Sequence, residues 1–218
     1  MVFGILISGL AILHFFYIDP LGIMTGYSQD VINDFGTTIG NKNTIAAYMC
    51  VFLPCAIMMF IIQKIRYVKI LSAVAIVFAY CGLLVAGSNC GYIGFFAMLF
   101  FMALVCARKP HLLRGLMLSL TIMFSSGLLL RIFSFFMDDK SKGFEKIGEM
   151  LVYSNKIYII IVILAVITIS LYVFKDRKFV NSKAFKNTLT IVISVCGVLA
   201  VSVAAVVVLM ATRRKITG

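Results

Sequence analysis

One stretch of this chain combines residue types and spacing suited to binding an anion: Gly36-Thr37-Thr38-Ile39-Gly40-Asn41-Lys42-Asn43-Thr44-Ile45-Ala46. It is polar and glycine-rich, and it runs directly into a long apolar segment. That pattern predicts a loop at a membrane surface feeding the first turn of a helix, with Asn43 as the N-cap. The first amides of a helix have no intrahelical acceptor and carry about half a positive charge. Lys42 adds a full charge, and glycines at 36 and 40 let the backbone approach a ligand closely. Phosphate is the natural occupant of such a site.

Two further polar points fall on the same predicted side. One is Ser88-Asn89, within the short connection Gly87-Ser88-Asn89-Cys90-Gly91. The other is Arg131, inside an apolar run. The candidate substrate-binding set is therefore Gly40, Asn41, Lys42, Asn43, Ser88, Asn89 and Arg131. Each has a plainer role open to it. Asn43 and Thr44 cap a helix whether or not a ligand binds, and Ser88 and Asn89 close a tight helical hairpin. Arg131 stands about five residues from the end of its run, roughly 7.5 Å at helical rise. A long side chain covers that distance by snorkelling; the other reading is a phosphate-binding arginine in a cavity.

Other chemistry has little to build on. No Ser/His/Asp array is visible, and His14 and His111 fall on opposite predicted sides of the membrane. Asp138 and Asp139 lie in a lysine-rich loop and read as solvated. The six cysteines (Cys50, Cys55, Cys81, Cys90, Cys106, Cys196) form no CxxC pair, so no metal site is expected; most lie in apolar runs, where cysteine acts as a small hydrophobe. No phosphate-cradling GxxxxGK[ST] occurs. His14 reads as a packed or interfacial residue rather than a functional one.

The elements that must position these residues are membrane helices. Of 218 residues, 62% are hydrophobic and 13% charged, against about 25% charged in a soluble domain. Several apolar runs reach the roughly 18–20 residues that cross a hydrocarbon core, and they do not alternate as transmembrane β-strands would. The expected fold is an all-α, polytopic bundle in a single domain over 1–218, with about seven spans at 2–18, 44–62, 68–86, 91–107, 115–136, 157–174 and 189–210. The net charge of +12 is explained by basic loops between spans, so no nucleic-acid partner is expected; the partner is the lipid bilayer.

Finer features follow from the same reading. With a cytoplasmic N-terminus, the inside loops hold eleven of the twenty basic residues, and the outside holds seven of the eight acidic ones. This predicts a multi-pass protein of the cell membrane. Asp19-Pro20-Leu21-Gly22 reads as a turn. Pro54 should kink its helix. Gly91 and Gly94 are spaced for close helix contact. With no tryptophan, Tyr17, Tyr67, Tyr92, Tyr153 and Tyr158 are expected to be the interfacial anchors. Arg213, Arg214 and Lys215 fall on the outer side; either one weak span is miscounted or, the preferred reading, they begin a larger external segment.

The residues 36–43, followed by Ala46 and an apolar span containing Pro54, resemble the G-T-x-G-N-x-N-x-x-A…P stretch of the O-antigen ligase and polymerase-like family. One basic loop and one span later, that family often has a Ser-Arg-Gly-type turn, and Gly87-Ser88-Asn89-Cys90-Gly91 is similar to it. The resemblance covers about residues 30–218. It implies glycosyltransferase-type chemistry: transfer or polymerisation of a saccharide from an undecaprenyl-diphosphate-linked donor at the outer membrane face, with no metal, nucleotide or other cofactor. It departs at Asn89, where the family's turn arginine is missing. The family's large external loop is not within these residues: a chain of this extent alone is expected to bind its donor poorly and not to catalyse, whereas a longer chain of which it is a truncated piece is expected to be active. Two other classes remain open. A small-anion transporter or channel would need polar residues near the midplane of several spans, and only Pro54 hints at that. A structural assembly subunit would have no site at all.

Overall fold

The computed structural model describes residues 1–28, 31–32, 37–137 and 141–173. Among these the secondary structure is helical, without β-strands. The helices are α1 (Val2–Phe15), a short 3-10 turn (Thr37–Ile39), α2 (Lys42–Ile62), α3 (Arg66–Ala86), α4 (Asn89–Ala107), α5 (Pro110–Met137), α6 (Lys146–Tyr153) and α7 (Lys156–Val173). Five of them, α2, α3, α4, α5 and α7, are long and apolar enough to cross a membrane. The protein is a multi-pass helical membrane protein. The expected span at 189–210, the basic loop before it and the basic tail after it lie outside the described residues, as do Gly36, Asp138 and Asp139.

The expected first span, 2–18, is cut short. Its helix has 14 residues, about 21 Å at helical rise against a core of about 30 Å. The helix stops because Tyr17 takes φ 56, so that the Ile18 amide bonds Leu13 O and the Tyr17 amide bonds His14 O. This is the Schellman closure, with a tyrosine where glycine is usual. Asp19-Pro20-Leu21-Gly22 then forms the turn its sequence predicts, with the Gly22 amide 3.4 Å from Asp19 O and Gly22 at φ 64.

The core is organised on α3. Its small residues Ser72, Ala75, Ala79, Gly82 and Ala86 recur on one face and are buried, which lets neighbouring backbones come close where lipid offers no hydrophobic drive. α1, α2 and α5 all pack on α3. At Gly82 three helices meet, because a Cβ there would lie 3.2 Å from Met49 Cε and 3.3 Å from Ser8 Cβ. Ser8 Oγ donates to Gly4 O (2.7 Å) and contacts Met49 Sδ (3.2 Å), linking α1 to α2. α2 crosses α4 through Ala46 and Cys50 against Gly91 and Gly94. A Cβ on Gly91 would come 2.5 Å from Ala46 Cβ, and Cys50 Sγ lies 3.2 Å from Gly91 O. The close contact expected of these two glycines is present. At the centre, Tyr80 packs against Phe95 and Phe124.

The helices alternate in direction, so one end of the bundle gathers the C-termini of α1, α3 and α5 and the N-termini of α2, α4 and α7. The segment 137–156, read from sequence as loop, also contributes α6 here. Leu151 and Val152 of α6 are buried, and Gly148 sits where a Cβ would be 2.5 Å from Tyr92 Oη. Tyr92 is consequently not an interfacial anchor. It is 1% exposed, and its hydroxyl donates to Leu84 O (3.1 Å), one of the α3 carbonyls that the helix end leaves without an internal partner.

Candidate functional site

The two polar stretches singled out from the sequence meet at this end of the bundle. Gly40 takes φ 93 with open space where a side chain would be, and so turns the chain into α2. The N-cap is Asn41 and not Asn43, a correction to the sequence expectation. Asn41 is extended (φ −90, ψ 142), and its Oδ1 accepts from the Asn43 amide at 2.8 Å. Lys42 is therefore the first helical residue and is half-buried; Asn43 is the second. Asn43 is released from capping because its side chain serves elsewhere: its Oδ1 accepts the Ser88 hydroxyl proton at 2.7 Å.

Ser88 caps α4 in the same way. It is extended (φ −106, ψ 119), and its Oγ accepts from the Gly91 amide. The hydroxyl thus accepts from one helix and donates to the other, and it is 2% exposed. Since that donation fixes Asn43 Oδ1 toward Ser88, the Asn43 NH2 group points away from it on an exposed residue. Asn89, also exposed, opens α4; the Asn89 and Cys90 amides have no acceptor among the described residues. The result is two helix N-termini held side by side, with Lys42 in the first turn of one and free amides in the first turn of the other. Together they form a surface that attracts negative charge.

Arg131 does not join this seam. Its Nη1 donates to Tyr158 Oη at 3.2 Å, and its guanidinium carbon lies 5.8 Å from the Tyr153 ring centroid and 5.6 Å from that of Tyr158. Its partners are thus on α6 and α7, whereas the seam belongs to α2 and α4.

The sequence did not reveal a third polar group at this end, where His14 meets Asp19. His14 is 1% exposed, and its Nε2 is 3.4 Å from Asp19 Oδ1, so the packed reading of His14 holds. Asp19 Oδ2 accepts from the Met24 amide at 2.6 Å. Partial burial works against the charged carboxylate, but the Met24 and Ile23 amides and the neighbouring His14 outweigh it and hold Asp19 below the usual aspartate range. Lys142 buttresses the same corner: its amide donates to Phe15 O (3.0 Å) and its Nζ to Ile32 O. The only sequence signal for this corner was the spacing of His14 and Asp19, and Lys142 comes from more than a hundred residues away.

Among the described residues no group of three or more His, Cys, Asp or Glu side chains is placed to hold a metal ion. No family model, curated protein or solved structure matches this chain.

Proposed function

We propose that this protein belongs with the O-antigen ligase and polymerase-like proteins and handles an undecaprenyl-diphosphate-linked glycan at the outer face of the cell membrane, its N-terminus in the cytoplasm. The observation that carries the proposal is the Ser88–Asn43 hydrogen bond. It joins into one surface the two sequence stretches on which the family resemblance rests, 45 residues apart. A diphosphate leaving group carries developing negative charge, and the paired N-termini of α2 and α4 with Lys42 are preorganised donors for it. Gly40 and Asn41 shape the entry to α2, and Asn43 and Asn89 present amide groups to the sugar or phosphate. Arg131 contributes positive charge at the same end without touching the seam. The missing turn arginine at Asn89 leaves Lys42 as the cation of the seam's first turn.

The test is deletion of the gene from its host. The expected outcome is loss or truncation of surface polysaccharide, restored by the wild-type gene and not by Lys42→Ala with Asn43→Ala at equal protein level. Normal polysaccharide in the deletion strain overturns the proposal. Labelling a cysteine at position 42 with an impermeant reagent in intact cells tests the orientation: modification supports the outer placement, and protection until lysis contradicts it.

A further inference from the structure

Arg131 has a setting that the bundle's packing does not explain. One turn on from Arg131 along α5, Phe135 is 82% exposed, and Ile132 beside the arginine is 54% exposed. α7, its partner helix, likewise turns Ile159, Val162, Ile163 and Val166 outward. Among the described residues this flank is open, and Arg131, itself half-buried, stands at its edge. Its height is set by helix length. α5 has 28 residues, about 42 Å at 1.5 Å per residue, and overreaches a core of about 30 Å. Arg131 lies about 9 Å before its end at helical rise, and its partner Tyr158 is in the first turn of α7. Both belong at the boundary between hydrocarbon and headgroups.

At that boundary most of the guanidinium's donors have no partner among the described residues. One N–H goes to Tyr158 Oη; the Tyr153 and Tyr158 rings lie beside the cation, and no carboxylate pairs with it among the described residues. Lys156, exposed at the start of α7, adds a second positive charge at this level. A planar fork with such donors, oriented by aromatic rings at the edge of an open flank, matches a phosphate in geometry and charge.

We propose that Arg131, oriented by Tyr153 and Tyr158, holds the headgroup phosphate of a bilayer glycerophospholipid at the seam between α5 and α7. The site is separate from the α2–α4 surface and does not rest on glycan transfer. The lipid fills the flank that α7 leaves open and fastens α7 to α5 from outside. Among the described residues the α5–α7 contact is otherwise supported in polar terms by one bond between hydroxyls, Thr121 to Thr168 at 3.2 Å.

The experiment is native mass spectrometry of the full chain in detergent, titrated with dioleoylphosphatidylglycerol or with dioleoylglycerol, which has the same tails and no phosphate. The expected result is about a tenfold preference for the phospholipid, the scale of one charge-assisted bidentate pair. Arg131→Gln abolishes the preference, and Arg131→Lys retains part of it. Equal binding of the two lipids overturns the proposal, as does a preference unchanged in Arg131→Gln. If Arg131→Gln does not yield monodisperse protein, the double change Tyr153→Leu with Tyr158→Leu is used; it should lower the preference severalfold, and an unchanged preference again overturns the proposal. Displacement by millimolar inorganic phosphate would mark a free-anion site, and displacement by undecaprenyl diphosphate at a tenth of the phospholipid concentration would mark a donor site. Either overturns the assignment to a bilayer lipid.

Discussion

α3 and α7 have similar lengths and similar apolar content, yet half of α3's most apolar stretch is buried inside the protein and only 11% of α7's. The difference lies in side-chain size. α3 repeats serine, alanine and glycine along one face, so α1, α2 and α5 approach it closely. α7 carries isoleucine and valine all round and buries only Ile157 and Thr168. In water both helices would bury their apolar surface. In lipid that drive is absent, and close packing goes to the helix with small residues. The polar seam sits where packing is tight, between α2 and α4 beside the end of α3. Arg131 sits where packing among the described residues is loose. Precise placement of polar groups follows the small residues, and exposure to bilayer follows the large ones.

The strongest way to break this contrast is to enlarge a small residue at a crossing. Gly91→Leu would force α4 away from Ala46 and disturb the Cys50 contact. We expect a loss of about 3 kcal/mol, the upper end for overpacking, read as a lower unfolding midpoint in detergent. The same change should break the Ser88–Asn43 bond, since Gly91 begins the crossing three residues beyond Ser88.

Next in size is the seam itself. Ser88→Ala removes an N-cap and the donor to Asn43 together and should cost about 2 kcal/mol. Asn43→Ala should cost less, because the Ser88 cap on Gly91 survives. A double-mutant cycle between the two should give a coupling of about 1 kcal/mol. Zero coupling would show that the seam does not fasten α2 to α4.

The membrane character of the chain was legible because a spanning helix is written in composition over about twenty residues, and the predicted spans 44–62, 68–86 and 91–107 lie within the observed helices α2, α3 and α4, whose bounds differ by at most two residues. The Gly91/Gly94 contact was legible for the same reason: small residues near a helix start have few other uses. What failed depended on partners distant in sequence. Asn41 and Asn43 are equally able to cap α2; the choice is made by Ser88, which claims the second of them. Tyr92 looks like any tyrosine near a span end until α6 covers it. α6 itself has only eight residues, too short to stand out from a polar loop, and it is fixed by burying Leu151 and Val152. The first helix ends at Phe15 because Tyr17 adopts a left-handed backbone, which a sequence without glycine at that point does not announce. Of the candidate set, the association of Asn43 with Ser88 could be anticipated from topology, whereas the partners of Arg131 could not.

Smaller effects sharpen the contrast. Tyr92→Phe leaves Leu84 O without its donor under α6 and should cost about 1 kcal/mol, visible as faster hydrogen exchange at the end of α3. On the loose side, Ile163→Ala changes a residue 51% exposed on α7. Its side chain exchanges lipid for lipid, so the loss should stay within about 0.5 kcal/mol. A cost as large as that of Ser88→Ala would mean that α7 is packed against something beyond the described residues.

The smallest effect concerns the corner at Asp19. Its carboxyl is held below the usual range by the Met24 and Ile23 amides and by His14, so the charged form is the one that the fold favours. The sign follows: the stabilisation is fully present above the carboxyl's unfolded pKa and is lost as pH falls through the depressed folded value. Hydrogen exchange at Met24, corrected for intrinsic rate, should therefore stay slow from neutral pH down to the acid side of ordinary aspartate and quicken below it. In Asp19→Asn the amide oxygen accepts a weaker bond and the pH step disappears, while exchange within α3 is unchanged. A step that persists in Asp19→Asn would place the titrating group elsewhere in the corner.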